Sequence, residues 1–335
     1  MLEVWLRRLV SFTAYGVLAS LVLGLFPLWA MLVLLVDVLS GGAARLPRLR
    51  ALACVALYLA CELVGLAAAG AIWLGTLGGR LITAAQYEEA NAALQRRWTE
   101  TLLRGGAALF QMKLRIEGQE CVQRTPFLLF VRHSSTADTL VAAVAVANPF
   151  KILLKYVLKR ELLWDPCLDV VGRRLPNVFV DRSGERGKAE VDAVASLADG
   201  LGERQAVLIY PEGTRFSPKK LEASVARLTQ EGRTELARIA QGYQHVLPPR
   251  LGGPLKLLEH APGLDVVLLE QTGFEGAVSL AHFWRGAFIG RTIELRLRRV
   301  AAGDIPHEQR DLWLFEQWRE TDRWITERIV AREGR

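Results

Sequence analysis

The chain has 335 residues, with 42 Lys and Arg against 35 Asp and Glu, a formal net charge of +7. It is 51% hydrophobic with a mean hydropathy of +0.19. That balance excludes a disordered polyampholyte, and the lack of a G-x-y or heptad repeat excludes collagen and a long coiled coil. The four Cys show no C-x-x-C spacing, which argues against a zinc ribbon, a thioredoxin-type pair or a disulfide scaffold.

The apolar residues gather near the N-terminus. No charged residue lies between Leu9 and Val36, a run longer than the ~20 residues that cross a bilayer core. It is also longer than the apolar region of a signal peptide, so a retained membrane segment is expected. A second run, Ala51 to Leu77, is interrupted only by Glu62. Glu62 is costly in lipid and either faces a partner helix or polar cavity, or reaches the interface by tilt. Two crossings are expected, although they place Arg45, Arg48 and Arg50 on the far side, against the positive-inside tendency. The alternative is a re-entrant hairpin broken at Pro27, with both ends cytoplasmic. Residues 1–80 are thus read as membrane-embedded helices, and 81–112 as an amphipathic helical connector.

From residue 113 short apolar runs alternate with helical stretches. KLRIEG (113–118), PFLLFVR (126–132), NVFVDR (177–182) and AVLIYP (206–211) read as strands, and 136–147 and 188–201 as helices. One or two helices, broken near Gly232, follow Pro218; VVLLEQT (266–272) and TIELRLRRV (292–300) are further strands. Such alternation predicts an α/β fold over 113–335, with a largely parallel central sheet flanked by helices. The last helix, with Trp313, Phe315, Trp318 and Trp324, packs its aromatics on the domain or lays them on a membrane surface.

Three polar segments follow strands. The first runs from Arg132 through His133 to Asp138; the C-terminal edge of a parallel strand is where open α/β sheets place ligands. Taken alone, His133 is equally an ordinary loop residue and Asp138 a helix-dipole carboxylate. The second is Phe179-Val180-Asp181-Arg182, whose arginine binds an anion or pairs with Asp181. The third is Tyr210 to Arg215: Gly213 lets backbone approach a ligand, Thr214 offers a hydroxyl, and Arg215 can grip a phosphate bidentately unless it pairs with Glu212.

Together, and in this order, the segments resemble the glycerolipid acyltransferase family, whose best-known members convert lysophosphatidic acid to phosphatidic acid. Its His-x4-Asp motif matches His133 and Asp138, its second motif FVDR with Arg182, and its third PEGTR with Glu212, Gly213, Thr214 and Arg215. An apolar run ending in Pro is approximated by Val246 to Pro249 and is followed by Arg250, a further candidate for an anion. The resemblance covers about residues 110 to 275. It departs from the family at Arg132, where many members have Asn, and in a long insertion from Lys219 to Tyr243. Both departures lie where the acceptor is expected and leave its identity open.

The resemblance implies a membrane enzyme, integral, with its catalytic domain on the cytoplasmic side. Acyl-CoA or acyl carrier protein would supply the acyl group to a lysophospholipid, and no cofactor or metal is expected. His133 would be the base and Asp138 its orienting acid, with Arg182, Glu212, Gly213, Thr214 and Arg215 around the acceptor. Alternatives are a remodelling acyltransferase or transacylase acting on another lysophospholipid, or a catalytically inactive lipid-binding protein. Cationic residues suit anionic headgroups; they are too scattered for a nucleic-acid surface, and no binding motif accompanies them.

Overall fold

The computed structural model describes residues 2–135, 138–181, 187–275 and 280–334. In chain order, helices α1 (Leu2–Gly24), α2 (Phe26–Leu39), α3 (Pro47–Gly75) and α4 (Ala84–Phe110) precede strands β1 (Lys113–Glu117) and β2 (Phe127–Val131). Next come α5 (Asp138–Ala142), α6 (Asn148–Phe150), β3 (Leu153–Lys159), α7 (Pro166–Val170), β4 (Val178–Val180), α8 (Gly187–Ala195) and β5 (Gln205–Ile209). The chain continues through α9 (Pro218–Gln230), α10 (Thr234–Gln241), α11 (Gly252–His260), β6 (Asp265–Thr272), α12 (Leu280–Trp284), β7 (Thr292–Val300) and α13 (Arg310–Glu333). Residues gather into two units. One holds 1–114, 158–182 and 276–292, and the other 115–157, 183–275 and 293–335.

In the first unit, α1 and α3 are long and apolar enough to cross a membrane. The first apolar run is broken at Leu25, and Pro27 follows as the second residue of α2; proline's missing N–H is tolerated only in a helix's opening turn. Asp37 closes the turn between α2 and α3. Its buried carboxylate accepts the backbone N–H groups of Arg48 (3.0 Å) and Leu49 (3.1 Å) and pairs with the Arg48 guanidinium at 2.9 Å. The Arg50 guanidinium donates to the carbonyl of Leu109, at the end of α4.

α4 lies along α3. Its capping box joins Thr83 and Gln86, and its Trp98 Nε1–H donates to Glu62 at 3.1 Å. Glu62 also accepts the backbone N–H of Cys167 at 3.1 Å, so this acid faces partner elements, as one of the sequence alternatives held. Gly65 lets α3 approach, since a Cβ there would meet Cys167 Sγ at 2.6 Å. Asp165 caps α7 through Leu168 N–H (2.8 Å) and accepts the Tyr58 hydroxyl at 2.7 Å. At the start of α1, Arg7 (2.6 Å) and Arg8 (2.7 Å) both pair with the fully buried Asp169. An acid buried this deeply is tolerated only when paired and hydrogen-bonded.

The second unit is built on a mostly parallel sheet whose strands run in the order β1-β7-β6-β2-β5-β3. β2 is central and parallel to both β5 and β6, and β3 is parallel to β5. Its five residues are fully buried, which is why it reads as a continuous apolar run rather than an alternating one. β7 is antiparallel to β6. Ile293, Leu295 and Leu297 point inward as their alternation predicts. The opposite face of β7 meets α13: Arg298 donates to Gln317 (2.5 Å), and Arg328 pairs with Glu294 (3.2 Å). Glu270 on β6 pairs with Arg296 and accepts the Thr321 hydroxyl of α13 at 2.9 Å. Phe315, Trp318 and Trp324 are buried, so they hold α13 on the sheet instead of lying on a membrane.

Candidate active site

The strand register brings two of the polar segments together. Phe130 of β2 is paired with Ile209 of the parallel β5, so His133 and Glu212 each lie three residues past a matched pair, at the sheet's C-terminal edge. The backbone N–H of His133 donates to Glu212 Oε1 at 2.8 Å. The other oxygen, Oε2, accepts the backbone N–H of Leu247 at 2.9 Å. Glu212 is therefore a bridge between three loops, and it is almost wholly buried. The ring of His133, a half-buried residue, lies 5.0 Å from that of Tyr210, centroid to centroid.

Past Glu212 the loop turns through Gly213, whose φ of +69° is the left-handed region that favours glycine. A Cβ at that position would lie 2.9 Å from Cδ and Nε of Arg250, so the absent side chain is what admits the guanidinium. Thr214 Oγ1 and the carbonyl of Arg215 both accept Lys220 Nζ, each at 3.0 Å. Among the described residues, neither the Arg215 nor the Arg250 guanidinium has an acidic partner. The alternative, a pairing of Arg215 with Glu212, does not form, because Glu212 is turned toward backbone N–H groups. Burial, and then the like charge of Arg227, lower the pKa of Arg250 from the ordinary guanidinium value. The loop thus offers cationic groups, a hydroxyl and an open backbone to an anion.

Residues 113–250 match the family model described as Acyltransferase. Over this stretch the chain is similar to acyltransferases. The 1-acyl-sn-glycerol-3-phosphate acyltransferase epsilon of Mus musculus is 25% identical over 215 residues, covering 60% of this chain and 57% of the relative. The chain therefore spans just over half the length of that curated relative. The crystal structure of the 1-acyl-sn-glycerophosphate acyltransferase PlsC from Thermotoga maritima is similar at a TM-score of 0.44 and 14% identity, over 82% of this chain and 98% of that one.

Of the remaining site residues expected in the acyltransferase domain, Asp138 is the first residue of α5, but its side chain lies outside the described residues. Arg182, just past β4, also lies outside them. Sequence reasoning assigned no role to Arg132, and the structure gives it several contacts. Its buried guanidinium donates to the carbonyl of Gln271 and, at 2.8 Å each, to Glu275 and to the carbonyl of His245. Gln271 Nε2 returns a hydrogen bond to the Arg132 carbonyl at 3.0 Å. Burial alone raises the pKa of Glu275, but the Arg132 charge and the Gly273 N–H reverse the sign, leaving it below the usual carboxylate range. The available signal was a charge directly after five fully apolar strand residues, where only a well-partnered group is tolerated.

Proposed function

We propose that the protein is a membrane-seated O-acyltransferase. It moves a fatty acyl group from a thioester, acyl-CoA or acyl carrier protein, to the free hydroxyl of a lysophospholipid. The acceptor is 1-acylglycerol-3-phosphate and the product phosphatidic acid. The observation that carries this is Glu212, whose carboxylate joins the His133 loop to the loop bearing Gly213, Thr214 and Arg215. A candidate base and an anion-accepting loop thereby share one edge of one sheet. The name of the mouse relative fits the same chemistry.

A neutral alcohol is a weak nucleophile, so its proton must leave as the new bond forms. Imidazole suits that task, with an unperturbed pKa near ~6.5. In this mechanism His133 takes the hydroxyl proton while the oxygen attacks the thioester carbonyl. Asp138 orients the ring and stabilises the imidazolium, as the acid does in a Ser-His-Asp triad. The tetrahedral intermediate then collapses to the ester, the C–S bond breaks, and the departing sulfur recovers the proton from His133. Arg215 and Arg250, with Thr214 and Arg182, hold the headgroup phosphate. Glu212 and Gly213 shape the loop.

For the membrane seat, α1 and α3 supply bare apolar faces, including Leu63, Val64, Trp73 and Leu74 on α3. A straight crossing by α3 would carry the adjoining α4 with it, and with it charges such as Glu89, Arg96, Glu100 and Arg104. Charges at the bilayer centre are costly. In this proposal α3 lies at the interface with its bare face in lipid, and the acyltransferase domain faces the cytoplasm. Lipid mass spectrometry of a reaction offering several lysophospholipids and both thioester donors tests the proposal. Acylated lysophosphatidic acid is the expected product; a reaction in which no lysolipid gains an acyl chain contradicts it.

A further inference from the structure

Between α10 and α11 the chain carries the segment 244–250, which belongs to no helix or strand. Buried backbone donors in such a segment must find partners outside regular structure. The N–H groups of Gln244 (3.0 Å), His245 (2.6 Å) and Val246 (3.1 Å) all donate to the carboxylate of Asp322 on α13. That of Leu247 donates to Glu212 at 2.9 Å, Pro248 and Pro249 have none, and that of Arg250 donates to the carbonyl of Pro211 at 2.8 Å. The carbonyl of His245 accepts from Arg132, and the Tyr243 hydroxyl donates to the carbonyl of Phe315 on α13 at 2.7 Å.

The segment is thus held by three charged side chains, Asp322, Glu212 and Arg132, each more than nine-tenths buried. Asp322 is the unusual one. Among the described residues no cation pairs with it, so its charge is compensated by backbone N–H groups alone. Burying a carboxylate this way is costly unless its hydrogen bonds are fully formed. Asp322 also lies well beyond residue 250, where the family match ends. The segment it grips ends in Arg250, whose guanidinium sits beside Gly213 without an acidic partner among the described residues.

We propose that Asp322 is a positioning residue for acceptor binding: from the C-terminal helix it fixes the backbone of 244–246 and so sets where Arg250 presents its guanidinium. This rests on the proposal that Arg250 holds the acceptor phosphate. The test is a double-mutant cycle on the full-length protein, with Asp322→Ala, Arg250→Ala and the double variant, and with Asp322→Asn as the milder member. Steady-state kcat and KM are measured separately for lysophosphatidic acid and for acyl-CoA.

Losing charge-assisted hydrogen bonds predicts an acceptor KM raised about tenfold in Asp322→Ala. The acyl-CoA KM stays within about twofold, since only the acceptor contact moves. Asp322→Asn falls between, because Oδ1 alone carries three of the bonds. In the Arg250→Ala background the Asp322 substitution adds nothing further to the acceptor KM. If Asp322→Ala does not fold, the cycle is run with Asp322→Asn. An Asp322 effect of equal size with and without Arg250, or a loss of kcat with the acceptor KM unchanged, overturns the positioning role and leaves the headgroup proposal standing. An Arg250→Ala variant with an unaltered acceptor KM overturns the headgroup proposal, and the positioning role with it.

Discussion

Glu212→Gln distinguishes a backbone clamp from a substrate ligand. In the native protein one carboxylate oxygen accepts His133 N–H at 2.8 Å and the other accepts Leu247 N–H at 2.9 Å. Glutamine keeps the shape but replaces one oxygen with an NH2 group, so one of the two N–H donors is left facing another donor. A hydrogen bond to a charged group contributes about 1.5–3 kcal/mol, and a buried orphaned donor costs about 1–3 kcal/mol. These overlap rather than add, so a loss of about 2–4 kcal/mol is expected. At roughly 2–4 °C per kcal/mol for a domain of 150–250 residues, Tm falls by roughly 4–16 °C. Because one of the two donors is the N–H of the proposed base, and both loops are joined through this side chain, kcat falls as well, while the acceptor KM changes by less than about threefold. Thermal unfolding followed by tryptophan fluorescence in detergent, together with initial rates on labelled acyl-CoA, reads both quantities. A variant with an unchanged Tm and a raised acceptor KM would show that the carboxylate faces substrate instead.

Other outcomes follow from the same geometry. Arg215→Ala raises the acceptor KM by about tenfold, the scale of one lost charge-assisted contact, with the acyl-CoA KM unmoved; an unchanged acceptor KM removes Arg215 from the headgroup site. The Glu275 pKa is held below 4.5, chiefly by Arg132 acting against burial. Its stabilisation is therefore complete above about pH 4.5 and is lost as pH falls through the folded value. Tm measured against pH should drop less steeply on the acid side in Glu275→Gln than in wild type, and matching slopes would refute the pairing. Deleting residues 1–80 strips Arg7 and Arg8 from the buried Asp169 and uncovers the face of α4 that meets α3. Breaking a buried ion pair costs about 3–5 kcal/mol. The truncated chain should therefore aggregate; a monodisperse soluble product would show that the first unit does not depend on these contacts.

Much of this was legible in the sequence because it is local or periodic. The apolar run of β2 and the alternation of Ile293, Leu295 and Leu297 each follow from burial on one or both faces of a strand. The placing of His133 and of PEGTR after apolar strands likewise predicted that both would reach the sheet's C-terminal edge, and the register of Phe130 with Ile209 brings them there. What Glu212 does was not legible. Its partners, His133 and Leu247, are 79 and 35 residues away, and no periodicity reports a hydrogen bond across such separations. The same holds for Asp322, which caps a segment 76 residues back, and for Glu62, whose partners are Trp98 and Cys167. For Glu212 and Glu62 a charge beside an apolar run was visible; the group that compensates it appears only once the chain is folded.

The central claim is that the imidazole of His133 removes the acceptor's hydroxyl proton. The measurement that tests it most directly is the initial rate of labelled acyl transfer from acyl-CoA to lysophosphatidic acid, comparing wild type with a His133→Ala variant whose Tm is unchanged. Loss of a general base predicts a fall of about 10²–10⁴-fold in kcat, with the KM values for both substrates little altered. Turnover within threefold of wild type would contradict the claim.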